Sequence, residues 1–407
     1  MRIGRTLPPA AAPLSLRDIF AGLQGLVTGA RAEEQARQEL QDYFQKKHCF
    51  LVSSGKAALT LILLALKDLH PARDQVLIPA FTCYSVPSAI VRAGLKIALC
   101  DIDLETLDFD FAQLEEKLNN PRLLCVIPTH LFGLPVDVER LRELKHDPAV
   151  TIVEDAAQAM GGEWQGRKLG TQGDIGFFSL GRGKALTAVE GGVIITDDEE
   201  LGENLHAQVA RLPDCSIKQT LNHFLYALAL MFLLRPEIFW LPRSLPFLRL
   251  GETRFDTSFP VYRLSNFQAG LLRGVQHKLF NLRRVRQGNI KVWFERFPRF
   301  RVQNIEKQHG VFPDLLRFPF CTGNRKKADL LLQQSTQLGL GLARTYPDAI
   351  QGIPELGKQL EGQDAPNARR AAQELITLPV HGFLTPRDRQ LIVSLLVEKG
   401  IVQEVMI

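Results

Sequence analysis

The sequence predicts an α/β fold: a seven-stranded, mostly parallel sheet covered by helices in a large domain, followed by a smaller C-terminal α+β domain. Three observations lead there. From His48 to Thr196, short β-branched or apolar runs alternate with helical patterns, as a parallel sheet with crossover helices requires. The chain has 407 residues, enough for two or three domain cores. After Asp197 the alternation stops and the signals weaken.

The strands are expected at Cys49–Ser53, Gln75–Pro79, Lys96–Asp101, Leu123–Pro128, Thr151–Glu154, Ile175–Ser179 and Gly192–Thr196. Between the first two, Lys56–Leu69 contains AALTLILLAL, apolar nearly all round, which is the pattern of a helix buried against a sheet. A helix is expected near Glu199–Arg211, then an apolar segment over Leu221–Leu241 broken at Arg235-Pro236. Its 14-residue run LNHFLYALALMFLL is shorter than the ~20 residues that span a bilayer. It reads as a packing or dimer-facing helix, or as attachment of 221–241 to a membrane surface. Arg273–Arg301 interleaves Arg and Lys with Leu, Val, Trp293 and Phe, a helix with one solvated basic face. Beyond Val302 the pattern fits a small α+β domain, with a loop over Gln351–Asp364. The division is a large domain over 1–270, with an N-terminal arm at 1–30 and an apolar insertion at about 218–250, then a linker helix and small domain over 271–407.

Composition narrows the function. Apolar residues are 45 % and charged residues 23 %, a folded globular average. The net charge of +5 is a mild surplus, so no nucleic-acid partner is expected. Six scattered cysteines, with no C-x-x-C pair, argue against a metal site or a disulfide framework. The N-terminus lacks a continuous apolar core before Arg17, so a cytoplasmic location is expected.

Ligand sites in open α/β sheets lie at the carboxyl ends of strands, so polar residues there matter most. SSGKAAL (Ser53–Leu59) is a strand-to-helix turn whose free N–H groups would suit a phosphate, although it is not a P-loop. VEDAAQA (Val153–Ala159) puts Asp155 and Gln158 just past a strand. FFSLGRGKAL (Phe177–Leu186) sets Ser179 and Lys184 five apart on a turn with Gly181 and Gly183. EGGVIIT (Glu190–Thr196) enters the last strand. Pyridoxal 5′-phosphate needs a lysine for its aldehyde, a carboxylate for its pyridine nitrogen, and donors for its phosphate. Lys184, Asp155 and the Ser54, Gly55 and Ser179 group supply all three.

In order, SSGKAAL, IPAFT (Ile78–Thr82), DID (Asp101–Asp103), HLFG (His130–Gly133), VEDAAQA, GDIGFFSLGRGK and EGG form a set. The set resembles the DegT/StrS-type sugar aminotransferases, which are fold type I pyridoxal-phosphate enzymes. The likeness is strongest from Leu51 to Asp197 and continues through VYRLSNFQA (Val261–Ala269) and LPVHGFLT (Leu378–Thr385). It implies that Lys184 links to the cofactor and that Asp155 pairs with the pyridine nitrogen. It further implies that Gln158 lies near the phenolic oxygen, and that Ser54, Gly55, Lys56 and Ser179 hold the phosphate. Lys56 replaces the family's usual threonine. Cys83 stands where a ring-stacking aromatic is common, followed by Tyr84; both are expected beside the cofactor, where either Tyr84 swings in or the stacking is lost. Val261-Tyr262-Arg263 replaces Asn-Tyr-Arg, which puts the cross-subunit phosphate contact in question. Arg263, with Tyr262, is a substrate-binding candidate from charge.

The resemblance implies a homodimer that moves an amino group, with glutamate as donor, to a keto-sugar carried on a nucleoside diphosphate. Two rivals are a sugar dehydratase of the same family, in which histidine replaces the lysine, and a degenerate regulatory or scaffold homologue. Lys184, Asp155 and Gln158 speak against both.

Overall fold

The computed structural model describes residues 3–245, 251, 253–297 and 313–402. Two helices, α1 (Leu16–Thr28) and α2 (Ala30–Phe44), precede the sheet. The first half of the sheet is β1 (His48–Val52), α3 (Gly55–Leu69), β2 (Gln75–Pro79), α4 (Ser85–Arg92), β3 (Lys96–Cys100), α5 (Phe111–Leu118), β4 (Leu123–Val126), α6 (Val138–Leu144) and β5 (Thr151–Asp155). A small hairpin of β6 (Glu163–Trp164) and β7 (Arg167–Lys168) follows, then β8 (Ile175–Ser179) and β9 (Gly192–Thr196). The observed strands match those expected to within two residues at each end. The hairpin was not expected; its turn residues Gln165 and Gly166 both have positive φ, the geometry a tight two-residue hairpin needs.

The seven main strands lie in the order β1-β9-β8-β5-β4-β2-β3. Within the sheet only β9 runs against its neighbours, pairing antiparallel with both β1 and β8. The other strands therefore point one way, and β1, β5 and β8 end on one edge of the sheet, where β9 begins. That edge gathers Ser53, Asp155, Ser179 and Gly192. Asp101, at the end of edge strand β3, caps a helix of the C-terminal part by accepting from the backbone N–H groups of Asn367 and Ala368 at 2.9 and 2.8 Å. Gln363 accepts from the Leu99 N–H at 2.7 Å and donates to the Ile97 carbonyl at 3.2 Å. Its side chain thereby satisfies the otherwise open edge of β3.

Beyond the sheet come α7 (Glu199–Ala210), α8 (Ile217–Leu233), α9 (Pro236–Arg243), α10 (Asn266–Leu271) and the long α11 (Val275–Arg296). The apolar segment is thus two helices parted at Pro236, and no helix among the described residues is long and apolar enough to cross a membrane. The basic segment carries α11, with Trp293 and Ile290 buried on its inner side; its last residues, 298–301, lie outside the described residues. The C-terminal part holds β10 (Phe318–Cys321), α12 (Arg325–Leu338), α13 (Pro366–Glu374), β11 (Leu375–Leu378) and α14 (Pro386–Glu398), with β10 and β11 paired antiparallel. The expected loop at Gln351–Asp364 carries two short 3₁₀ turns and buries Ile353, Leu356 and Leu360.

The N-terminal arm is fastened through α1, which crosses α10 at a contact built from glycines. A Cβ on Gly270 would lie 2.3 Å from the Ala21 carbonyl oxygen, and one on Gly25 would lie 2.2 Å from that of Asn266. Only hydrogen fits between these backbones. Gly270→Val should therefore part the two helices and cost about 1–3 kcal/mol, read as a lower midpoint in thermal or urea unfolding.

Candidate active site

A cavity of about 450 Å³ opens where β1, β5 and β8 end. It is formed in part by Ser54, Gly55, Asp155, Gln158, Ser179 and Lys184. The sequence spreads these over 131 positions; the sheet order brings them together.

The cradle forms first. Ser54 caps α3, its hydroxyl accepting from the Ala57 N–H at 3.1 Å, which leaves the N–H groups of Gly55 and Lys56 without intrahelical acceptors. These point from the positive end of the helix dipole. A Cβ on Gly55 would approach the Ser179 Cβ to 2.9 Å, and one on Gly192 would approach the Ser54 carbonyl oxygen to 2.3 Å. Missing side chains at both glycines let α3, β8 and β9 meet. The Ser179 hydroxyl accepts from the Gly181 N–H at 3.3 Å and keeps its proton to donate.

Successive side chains on a strand face opposite sides, and β5 uses this to separate two adjacent carboxylates. Glu154 turns away from the cavity. It accepts from the N–H groups of Gly170 at 2.9 Å, Gln172 at 2.5 Å and Gly173, and from His130 Nε2 at 2.7 Å. His130 Nδ1 accepts from the Val136 N–H at 3.1 Å, so the proton sits on Nε2 and the imidazole is neutral. Burial alone would raise the Glu154 pKa, but His130 and the backbone donors outweigh it and hold the carboxyl below its usual range.

Asp155 faces the cavity and is 4 % exposed. Among the described residues its side chain accepts one hydrogen bond, from the Ala157 N–H at 3.0 Å. Burial pushes its pKa up, opposed by that bond and by the charge of Lys184. A cationic ring nitrogen would supply what this carboxylate lacks. Lys184 follows Gly183, whose φ is +72°, and its ammonium makes no hydrogen bond or ion pair among the described residues. Gln158 donates from Nε2 to the Tyr346 hydroxyl at 2.9 Å.

Other expected site residues fall differently. Lys56 reaches the cavity, but its ammonium lies 3.6 Å from an Asp256 carboxylate oxygen and 4.5 Å from the centre of the Phe259 ring. It is drawn toward that segment. Cys83 lines the cavity, and its thiol donates to the Ser85 hydroxyl at 3.3 Å. Tyr84 does not: its hydroxyl donates to the Asp348 carbonyl at 3.1 Å, and burial lifts its pKa to about 12. The α4 turn directs that ring away, which corrects its placement beside the cofactor. Tyr262 lines the cavity, and its backbone pairs with Ser53, accepting from the Ser53 N–H at 2.9 Å. Arg263, next along the extended segment, faces outward and binds the Asp214 carboxylate from Nε at 2.9 Å. Alternation therefore places Arg263 outside the cavity, against its expected substrate role. Sequence reasoning missed Arg182, Glu190, Asp256 and Phe259 in the cavity wall. Arg182 and Glu190 lay within the GRGK and EGG motifs; Asp256 and Phe259 carried no sequence signal.

The fold and this cavity define the class. The chain belongs to the DegT/DnrJ/EryC1/StrS aminotransferase family, whose model matches residues 23–397. It is 34 % identical over 174 residues to the L-glutamine:2-deoxy-scyllo-inosose aminotransferase of Streptomyces kanamyceticus, covering 43 % of this chain and 40 % of that one. It is also 34 % identical over 164 residues to the GDP-perosamine synthase of Caulobacter vibrioides, covering 40 % of this chain and 43 % of that one. These alignments span about two fifths of each relative's length. In fold it resembles Helicobacter pylori PseC, an aminotransferase of pseudoaminic acid biosynthesis, with a TM-score of 0.76 at 17 % identity over 97 % of this chain and 99 % of that one.

The family depends on pyridoxal 5′-phosphate, and the cavity fits that group on its own geometry. A phosphate fits the cradle that a Gly55 side chain would fill, and a cationic ring nitrogen suits the under-bonded Asp155.

The Glu154–His130 pair gives a test of the scaffold beneath the site. Because the folded-state pKa of Glu154 is depressed, its contribution is complete above the unfolded carboxyl pKa and is lost as pH falls through the folded value. Glu154→Gln should destabilise by about 1–3 kcal/mol near neutral pH, since an amide N–H₂ would face backbone donors. The difference from the parent should shrink toward acid pH in denaturant titrations.

Proposed function

We propose that this enzyme transfers an amino group from glutamate to a keto-sugar carried on a nucleoside diphosphate, as a cytoplasmic homodimer. One observation carries the reading: Lys184, in the loop after β8, and Asp155, at the end of β5, border one cavity beside a phosphate cradle. The likeness to a GDP-perosamine synthase supports the substrate class. Exposed apolar residues on α1 and α8, such as Phe20, Val27, Leu221 and Leu225, support a partner subunit.

When bound, the cofactor supplies an aldehyde that an amine can replace and a cationic ring that accepts an electron pair from the substrate carbon. The chain's residues do the rest. The backbone N–H groups at Gly55 and Lys56 and the Ser179 hydroxyl hold the phosphate. Asp155 keeps the ring nitrogen protonated. The Lys184 amine would hold the cofactor's aldehyde and, once free, would serve as the base for the proton on the donor's α-carbon. Gln158, held by Tyr346, would face the ring's oxygen side.

Purified holoenzyme should absorb at the edge of the visible range and bleach when glutamate is added. Lys184→Ala should abolish turnover while cofactor still binds without a covalent link; a variant that aminates a keto-sugar at the parent rate would refute the lysine's role. An ion pair at about 4 Å in an effective dielectric of about 20 is worth ~4 kcal/mol. Asp155→Asn should therefore lower turnover by about 10²–10³-fold, measured with saturating cofactor.

A further inference from the structure

The apolar helix α8 stands behind the cavity wall. His223 and Tyr226 lie one turn apart on it, on one face. His223 Nε2 is 3.5 Å from the Tyr262 hydroxyl and 4.0 Å from a Glu190 carboxylate oxygen. The Tyr226 ring centre is 5.4 Å from the Arg182 guanidinium carbon. Tyr262, Glu190 and Arg182 all line the cavity, so this one face of α8 supports three of its residues.

Apart from Lys184, whose amine is taken by the cofactor in this reading, Arg182 is the cavity cation without an anionic contact among the described residues. It sits between Gly181 and Gly183, two residues before Lys184, exposed at the cavity mouth. Its guanidinium makes no hydrogen bond or ion pair among the described residues. Lys56, by contrast, is already paired with Asp256 and laid over Phe259. Glu190 does not neutralise Arg182 by contact. Burial raises the Glu190 pKa, and the charges of Arg182 and Lys56 only oppose that rise. A guanidinium is a planar fork of donors suited to a phosphate or carboxylate, and an aromatic face beside it limits the directions the fork can take.

The location decides between the two oxyanions the proposed reaction brings. A donor carboxylate is bonded directly to the carbon that reacts, so it must lie deep, beside Lys184. A diphosphate is several bonds from the keto carbon and stays at the mouth. We propose that Arg182, held in place by Tyr226 of α8, binds the diphosphate of the nucleotide-linked substrate. This rests on the aminotransferase reading and assigns the apolar insertion a part in substrate recognition.

The test uses the cofactor-loaded chain and calorimetric titration with UDP, GDP and dTDP, alongside the bleaching by glutamate. Arg182→Gln should weaken binding of the preferred nucleoside diphosphate by about 10- to 100-fold. The glutamate concentration needed for bleaching should stay unchanged. Tyr226→Leu should weaken diphosphate binding by about 2- to 5-fold, and Tyr226→Phe, which keeps the ring, should bind as the parent does. An unchanged diphosphate affinity in Arg182→Gln overturns the proposal, and so does a raised glutamate requirement with diphosphate binding intact. A parent that bleaches with glutamate yet binds none of the three diphosphates overturns the proposal and leaves transamination standing. Loss of the bleaching as well overturns the proposed function itself.

Discussion

The site depends on a carboxylate that is buried before it is satisfied. Asp155 is almost wholly enclosed, accepts one backbone hydrogen bond, and makes no hydrogen-bonded ion pair among the described residues. Such a group costs free energy unless a cation approaches. The strand that carries it shows the cost being handled in two ways within one dipeptide. Glu154, facing the other side, is satisfied by His130 and three backbone donors, whereas Asp155 is kept available. The Glu154 network stiffens the end of β5, so Asp155 is presented from a rigid base toward whatever fills the cavity.

The same economy recurs at the phosphate cradle. Helix α3, strand β8 and strand β9 approach so closely that Gly55 and Gly192 must lack side chains. Reversal of β9 makes this geometry reachable. Because β9 starts where β1 and β8 end, its first glycine lies between Val52 and Ser179 in the register of the sheet. The cradle, the carboxylate and the lysine are then fixed by backbone paths and not by flexible side chains. Reacting groups are held this way when the chemistry tolerates little displacement.

Much of this was legible in the sequence. The parallel strands are short apolar runs closed by polar residues, so their positions and the residues just past them could be read directly; Asp155, Ser179, Lys184 and the Ser54-Gly55 turn came from that rule. Tyr84 and Arg263 were misplaced because a side chain's direction is decided by the local turn and by strand alternation, which composition does not reveal. Asp256 and Phe259 reach the cavity only by tertiary packing. The α8 helix read as a plain apolar segment because its polar contributions, His223 and Tyr226, are single residues whose meaning lies in the loops they touch.

The central claim is that the Lys184 amine is the group that joins covalently to the cofactor above Asp155. Reducing the holoenzyme with borohydride and mapping its peptides by mass spectrometry tests this directly. The account predicts that the peptide containing Lys184 gains the mass of the reduced cofactor. Attachment at another lysine, or a cofactor-loaded protein with no modified peptide, would contradict it.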